Sequence, residues 1–211
     1  MTRIITVVVF VAYLICGAAL GQSGKDFDVV IRGGTVYDGS GKTPVKADVA
    51  IKGDRVVKIG DLSKASAKTV IDATGMAVSP GFINMLSWST ESLIIDPRSL
   101  GELKQGVTTQ IFGEGDSMGP LNDRMKAWMK SEQGDLKYDI TWTSLADYLN
   151  FLERKGVSQN VASYIGATTV RRYVIGDEDK PPTAEQLFAF LRDVAIHVFP
   201  NLAVNVNQAV K

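Results

Sequence analysis

Ala47-Asp-Val-Ala-Ile-Lys52, then Gly53-Asp54, then Arg55-Val-Val-Lys-Ile59 is the stretch from which the fold can be read. Ala47, Val49 and Ile51 fall on one face and Asp48, Ala50 and Lys52 on the other, the period of two that a half-buried strand produces. Gly-Asp between two such runs predicts a hairpin. The same texture extends to either side. Phe27-Asp-Val-Val-Ile-Arg32 is followed by Gly33-Gly34, then Thr35-Val-Tyr37 and the turn cluster Asp38-Gly-Ser-Gly41. Residues 69–72 and 76–79 predict two more strands. Residues 22–80 therefore read as a small β-rich domain.

After Pro80 the texture changes. Residues 82–86 read as a buried strand and 99–105 as a short helix closed by Gly106. Val107-Thr-Thr-Gln-Ile-Phe112 is a β-branched strand running into the glycine-rich loop Gly113-Glu-Gly-Asp-Ser-Met-Gly119, with a helix expected near 122–130. Ser144-Leu-Ala-Asp147 has the spacing of a capping box with Asp in place of Glu. Leu145, Tyr148, Leu149 and Leu152 then share one helical face, and Gly156 stops the helix. A third strand is expected over 161–165. A last helix, capped by Thr183-Ala-Glu-Gln186, presents Leu187, Phe190, Leu191, Val194 and Val198 on its apolar face. Strands and helices alternating at this spacing predict βαβ units and a parallel sheet. Only about three units fit, where a closed eight-fold barrel takes about 250 residues.

The N-terminus predicts export. Arg3 supplies a positive start, residues 4–20 carry no charge, and Ala19-Leu20-Gly21 places small residues where a signal peptidase cuts, so residues 1–21 read as a signal peptide cleaved before Gln22. The alternative is an uncleaved anchor, since the apolar run is near spanning length. The expected location is secreted or periplasmic, with no membrane association after cleavage. Cys16 is the only cysteine, so the mature chain of about 190 residues has no disulfide and relies on packing. Lys plus Arg equals Asp plus Glu at 23 each, and no basic run stands out, which gives no electrostatic reason to bind nucleic acid. His197 is the only histidine.

Three stretches carry a family resemblance: residues 27–39, residues 47–60, and Val70-Ile-Asp-Ala-Thr-Gly-Met-Ala-Val-Ser-Pro-Gly-Phe-Ile83. In that order they resemble the opening of amidohydrolase-superfamily enzymes. Gly106-Val-Thr-Thr109 and Asn160-Val-Ala-Ser-Tyr-Ile-Gly166 narrow the resemblance to the D-aminoacylase (N-acyl-D-amino-acid deacylase) branch, over roughly residues 27–192. The resemblance implies an α/β fold: a small, incomplete β-sandwich-type domain over 22–80 leading into a partial (β/α)8 TIM-like barrel over 81–192. It also implies zinc as cofactor, a small N-acyl amino acid as substrate, and hydrolysis of a non-peptide C–N bond by a metal-activated water.

The departures from the family pattern fall on the metal ligands. The resemblance places Asp-x-His-x-His after Pro-Gly-Phe-Ile, and this chain has Asn84, Leu86 and Trp88 there. Neither Leu nor Trp has a lone pair for a metal. They read as rim packing, with Trp88 also a candidate wall of a substrate-binding pocket. Where relatives carry Gly-Asn-Cys-Gly, this chain has Gly113-Glu114-Gly115-Asp116, so Glu114 is the candidate metal ligand and Asp116 a weaker one. Glu114 equally reads as a solvated loop acid. Ala167 stands where relatives have a third histidine. Arg171 matches a family arginine and either meets a substrate carboxylate or makes a structural ion pair. His197 matches no family ligand.

After Arg192 the resemblance fades, and 193–211 read as a divergent tail. A truncated or frameshifted product and a piece of a longer chain both fit. The expected outcome is a chain that does not bind zinc tightly and is inactive by itself. The competing expectation is a non-catalytic binding or scaffold protein that keeps the amidohydrolase fold.

Overall fold

The structure, a computed structural model of the chain, describes the backbone of residues 25–198 and the side chains of residues 25–192. The expected leader over 1–21 lies outside the described residues, as do most of the expected tail and the side chain of His197. The chain divides after Pro80 into two compact units of mixed α/β character.

The first unit is one five-stranded sheet. Its strands are β1 (Phe27–Val36), β2 (Val45–Lys52), β3 (Arg55–Gly60), β4 (Ala67–Asp72) and β5 (Ala77–Val78). The order is β3-β2-β1-β4, with β5 also paired to β1. The expected hairpin is β2–β3, antiparallel with Lys52 opposite Arg55. Gly53 takes φ 60° at the first position of the two-residue turn, where only glycine enters without steric cost. The strict alternation expected of β2 breaks, because a register shift after Ala50 leaves Val49 and Ala50 both buried. Asp48 ties the sheet to its loops, accepting from the backbone N–H of Gly33 at 2.9 Å and of Leu62 at 3.1 Å. Val30, Ala50, Leu62 and Ala67 form the small core.

The second unit is built on three parallel strands, β6 (Phe82–Asn84), β7 (Val107–Phe112) and β8 (Asn160–Ser163), in that order across the sheet. Short helices α1 (Ser92–Ile95) and α2 (Leu100–Leu103) connect β6 to β7. Helices α3 (Asp123–Glu132) and α4 (Leu145–Lys155) connect β7 to β8, and α5 (Ala167–Val174) and α6 (Ala184–Val198) follow. The core lies under the connecting helices and is organised around Trp142, which is 2% exposed and donates its indole N–H to the Met118 carbonyl at 2.7 Å. Tyr138, Tyr148 and Phe151 pack on its ring, and Leu93, Phe112, Leu121 and Leu152 complete the cluster. Among the described residues, no helix is long and apolar enough to cross a membrane.

One strand differs from expectation. Residues 82–86 read as a buried strand, yet β6 ends at Asn84, and Phe82, Ile83, Met85 and Leu86 are all more than half exposed. The reason is topological: β6 is an edge strand, paired only to β7. An apolar run marks a strand built for covering and does not say what covers it.

Candidate functional site

The C-terminal ends of β6, β7 and β8 lie side by side, and three loops leave them: 85–91, 113–122 and 164–166. Ligands of parallel α/β sheets bind at this end. A buried polar chain sets the strand positions beneath it. Ser87 donates its hydroxyl to Gln110 Oε1 at 2.6 Å, and Gln110 Nε2 donates to Gln159 Oε1 at 2.8 Å. Gln159 in turn reaches the Val107 carbonyl at 3.3 Å.

The loop after β7 is held tightly against the start of α5. Gly113 sits at φ 90°, and a Cβ there would collide with the Tyr164 carbonyl, so only glycine lets the strand exit this close to its neighbour. Gly166 packs as closely against Gly115 and Asp116. Ser117 N–H donates to Thr169 Oγ1 at 2.7 Å, Gly166 N–H to Ser117 Oγ at 2.9 Å, and Thr168 N–H to the Gly115 carbonyl at 3.0 Å.

The expected site residues distribute unevenly over this rim. Asn84 turns toward α2, donating to Glu102 Oε1 at 3.2 Å while its own oxygen accepts from Leu86 N–H. Leu86 and Trp88, expected as rim packing, lie in the loop beyond β6 and are 54% and 61% exposed. Trp88 does line a cavity of roughly 230 Å³ together with Glu91, Gly113, Asp116, Met125 and Arg172. Glu114 is exposed in the loop, with no side-chain partner among the described residues, and Asp116 is ion-paired with Arg172 at 3.1 Å. Ala167 opens α5 exposed and brings no donor. Arg171 makes no salt bridge among the described residues. Its guanidinium donates to the carbonyls of Gly176 at 3.1 Å, Glu178 at 2.9 Å and Lys180 at 3.3 Å, pinning the loop after α5.

The residue with the larger part in this region is its neighbour Arg172. It pairs with Asp116, with Asp177 at 3.2 Å, and lies 4.7 Å over the ring of Trp128. Glu91 was also missed in the sequence. It accepts the Tyr138 hydroxyl at 2.6 Å, and burial together with this bond pushes the Tyr138 phenol above its usual range. Trp128 and Glu132 lie four apart on α3, a spacing that shows they share a face but gives no hint that the face lines a cavity.

Zinc needs three or four N, S or O donors converging on one point. Among the described residues, no group of three His, Cys, Asp or Glu side chains is arranged to hold a metal ion, and in the loop after β7 Asp116 is ion-paired while Glu114 is exposed. The donor set does not fit the metal.

No protein-family model matches the chain. Individual proteins do. The D-aminoacylase of Alcaligenes xylosoxydans xylosoxydans is 33% identical over 190 residues, which is 88% of this chain and 38% of that protein. A D-aminoacylase structure with a binuclear metal centre superposes with a TM-score of 0.69 at 32% identity, covering 81% of this chain and 36% of that one. The N-acyl-D-glutamate deacylase of Bordetella bronchiseptica, solved with zinc and a phosphonate inhibitor, gives a TM-score of 0.69 at 27% identity over 80% and 35% of the two chains. The chain thus spans a little over a third of the relatives it matches. Over that span it is a homologue of the D-aminoacylases and N-acyl-D-amino-acid deacylases of the amidohydrolase superfamily.

Proposed function

We propose that this chain corresponds to the N-terminal portion of a deacylase-type amidohydrolase, a β-sandwich-type domain leading into the first βα units of a barrel, in which the zinc centre is lost. The relatives' names imply hydrolysis of the C–N bond of an N-acyl-D-amino acid. By itself this chain does not perform that reaction. One observation carries the reading: Leu86, Trp88 and Ala167 stand at the rim positions where the resemblance places histidines, with Asp116 committed to Arg172. The test is ninhydrin detection of amino acid released from N-acetyl-D-amino acids, with zinc supplied. No release above the buffer rate is expected. Turnover abolished by Glu114→Gln would overturn the reading and make Glu114 a ligand.

A second reading is a binding protein on the same scaffold, with a small molecule as partner. The cavity beside Trp88 favours it, since a pocket persists where the ligands do not.

A further inference from the structure

The cavity at the rim has a chemistry of its own. Its floor is soft and apolar: Met118, Leu121 and Met125 are buried there, and the indoles of Trp88 and Trp128 form walls. Thioethers and indoles are polarisable surfaces suited to hydrocarbon and to cations. At roughly 230 Å³ it falls below the size usual for drug-sized ligands, about 300–1,000 Å³, so its ligand is small.

The charges around it select further. Three carboxylates line the cavity, Glu91, Asp116 and Glu132, against one cation, Arg172. That guanidinium is already committed to Asp116, to Asp177 and to the face of Trp128. A ligand carboxylate would have to break those contacts and approach the remaining acids. A ligand cation meets the opposite situation. Glu91 spends one oxygen on the Tyr138 hydroxyl, and among the described residues its second oxygen accepts no hydrogen bond. Trp88 is 61% exposed, and among the described residues its ring has no aromatic or cationic partner.

We propose that this cavity binds a small apolar cation, an ammonium group carrying a hydrocarbon of about phenyl size, with the ammonium between Glu91 and the Trp88 face and the hydrocarbon on the methionine floor. This goes beyond the loss of the metal centre and does not depend on it. It also separates the cavity from the anionic substrates of the relatives, since an N-acyl amino acid brings a carboxylate.

The experiment is isothermal titration of the full chain with three probes: phenethylammonium, its neutral analogue 2-phenylethanol, and N-acetyl-D-leucine. Phenethylammonium is expected to bind about tenfold more tightly than 2-phenylethanol, and N-acetyl-D-leucine not at all. Glu91→Gln should weaken the amine about tenfold and leave 2-phenylethanol unchanged, whereas Trp88→Ala, which removes an apolar wall, should weaken both probes and the amine about tenfold more than the alcohol. Because Glu91 also anchors Tyr138, Glu132→Gln, at an exposed position, gives a variant with no packing role and should weaken the amine in the same direction. Equal binding of amine and alcohol, tighter binding of N-acetyl-D-leucine, or no binding of the amine would each overturn the proposal.

Discussion

Gln110 sits in the middle of β7 with no solvent exposure, joining Ser87 on one side to Gln159 on the other. Its amide is fully used: the oxygen accepts from Ser87, and the nitrogen donates to Gln159 and to Ser99 at 3.3 Å. Gln110→Leu keeps the volume but leaves the Ser87 hydroxyl and the Gln159 oxygen buried without these partners. Each costs about 1–3 kcal/mol, so the variant is expected to lose about 2–6 kcal/mol in urea unfolding. An unchanged midpoint would show that the chain of amides is not part of what aligns the strands. None of this was legible in the sequence, where Gln110 is one polar residue in a β-branched run and its partners lie 11, 23 and 49 residues away. Leu86, Trp88 and Ala167, in contrast, could be read as departures from a motif without any coordinates. Arg171 and Arg172 show the limit between those cases. The motif pointed to the first, and only packing reveals that the second lines the cavity while the first holds backbone carbonyls.

Elements with local signals were legible, and those whose state depends on a distant neighbour were not. Helix α4 is the clear instance of the first kind. Ser144 accepts from the Asp147 N–H at 3.0 Å, and Asp147 accepts in return from the Ser144 N–H at 3.0 Å. Those backbone and side-chain bonds hold the Asp147 carboxyl below its ordinary range. At the other end Gly156 takes φ 78°. Leu145, Tyr148 and Leu152 are buried on the expected face. Ser144→Ala should cost about 1 kcal/mol, the usual value of an N-cap, read as a lowered midpoint in chemical unfolding. A variant as stable as the parent would mean that tertiary packing alone sets the start of this helix. A folded-state pKa below the unfolded one gives stability that is present above the unfolded pKa and lost as pH falls through the folded one. The Asp147 share of the cap is therefore lost in acid, not in base. Strand β6 is the opposite instance. Its apolar sequence was legible as a strand, but its exposure follows from having a neighbour on one side alone.

At the scale of the molecule, the second unit carries a parallel sheet with free edges and an apolar rim. Phe82, Ile83, Met85, Leu86 and Trp88 fall within residues 82–88 and are exposed. Parallel sheets are ordinarily covered on both faces, and exposed strand edges template association. Purified chain is therefore expected to self-associate in sedimentation velocity, with Phe82→Ser and Met85→Ser shifting it toward monomer. A monodisperse monomer with a sharp reversible thermal transition would contradict this. The central claim is that the deacylase scaffold persists here without its zinc centre, and zinc affinity measured by competition with a chromophoric chelator tests it most directly. The account predicts no one-to-one site tighter than about a micromolar, and the same titration for the parent chain and for Glu114→Gln. One zinc per chain held well below a micromolar, and lost in Glu114→Gln, would contradict it.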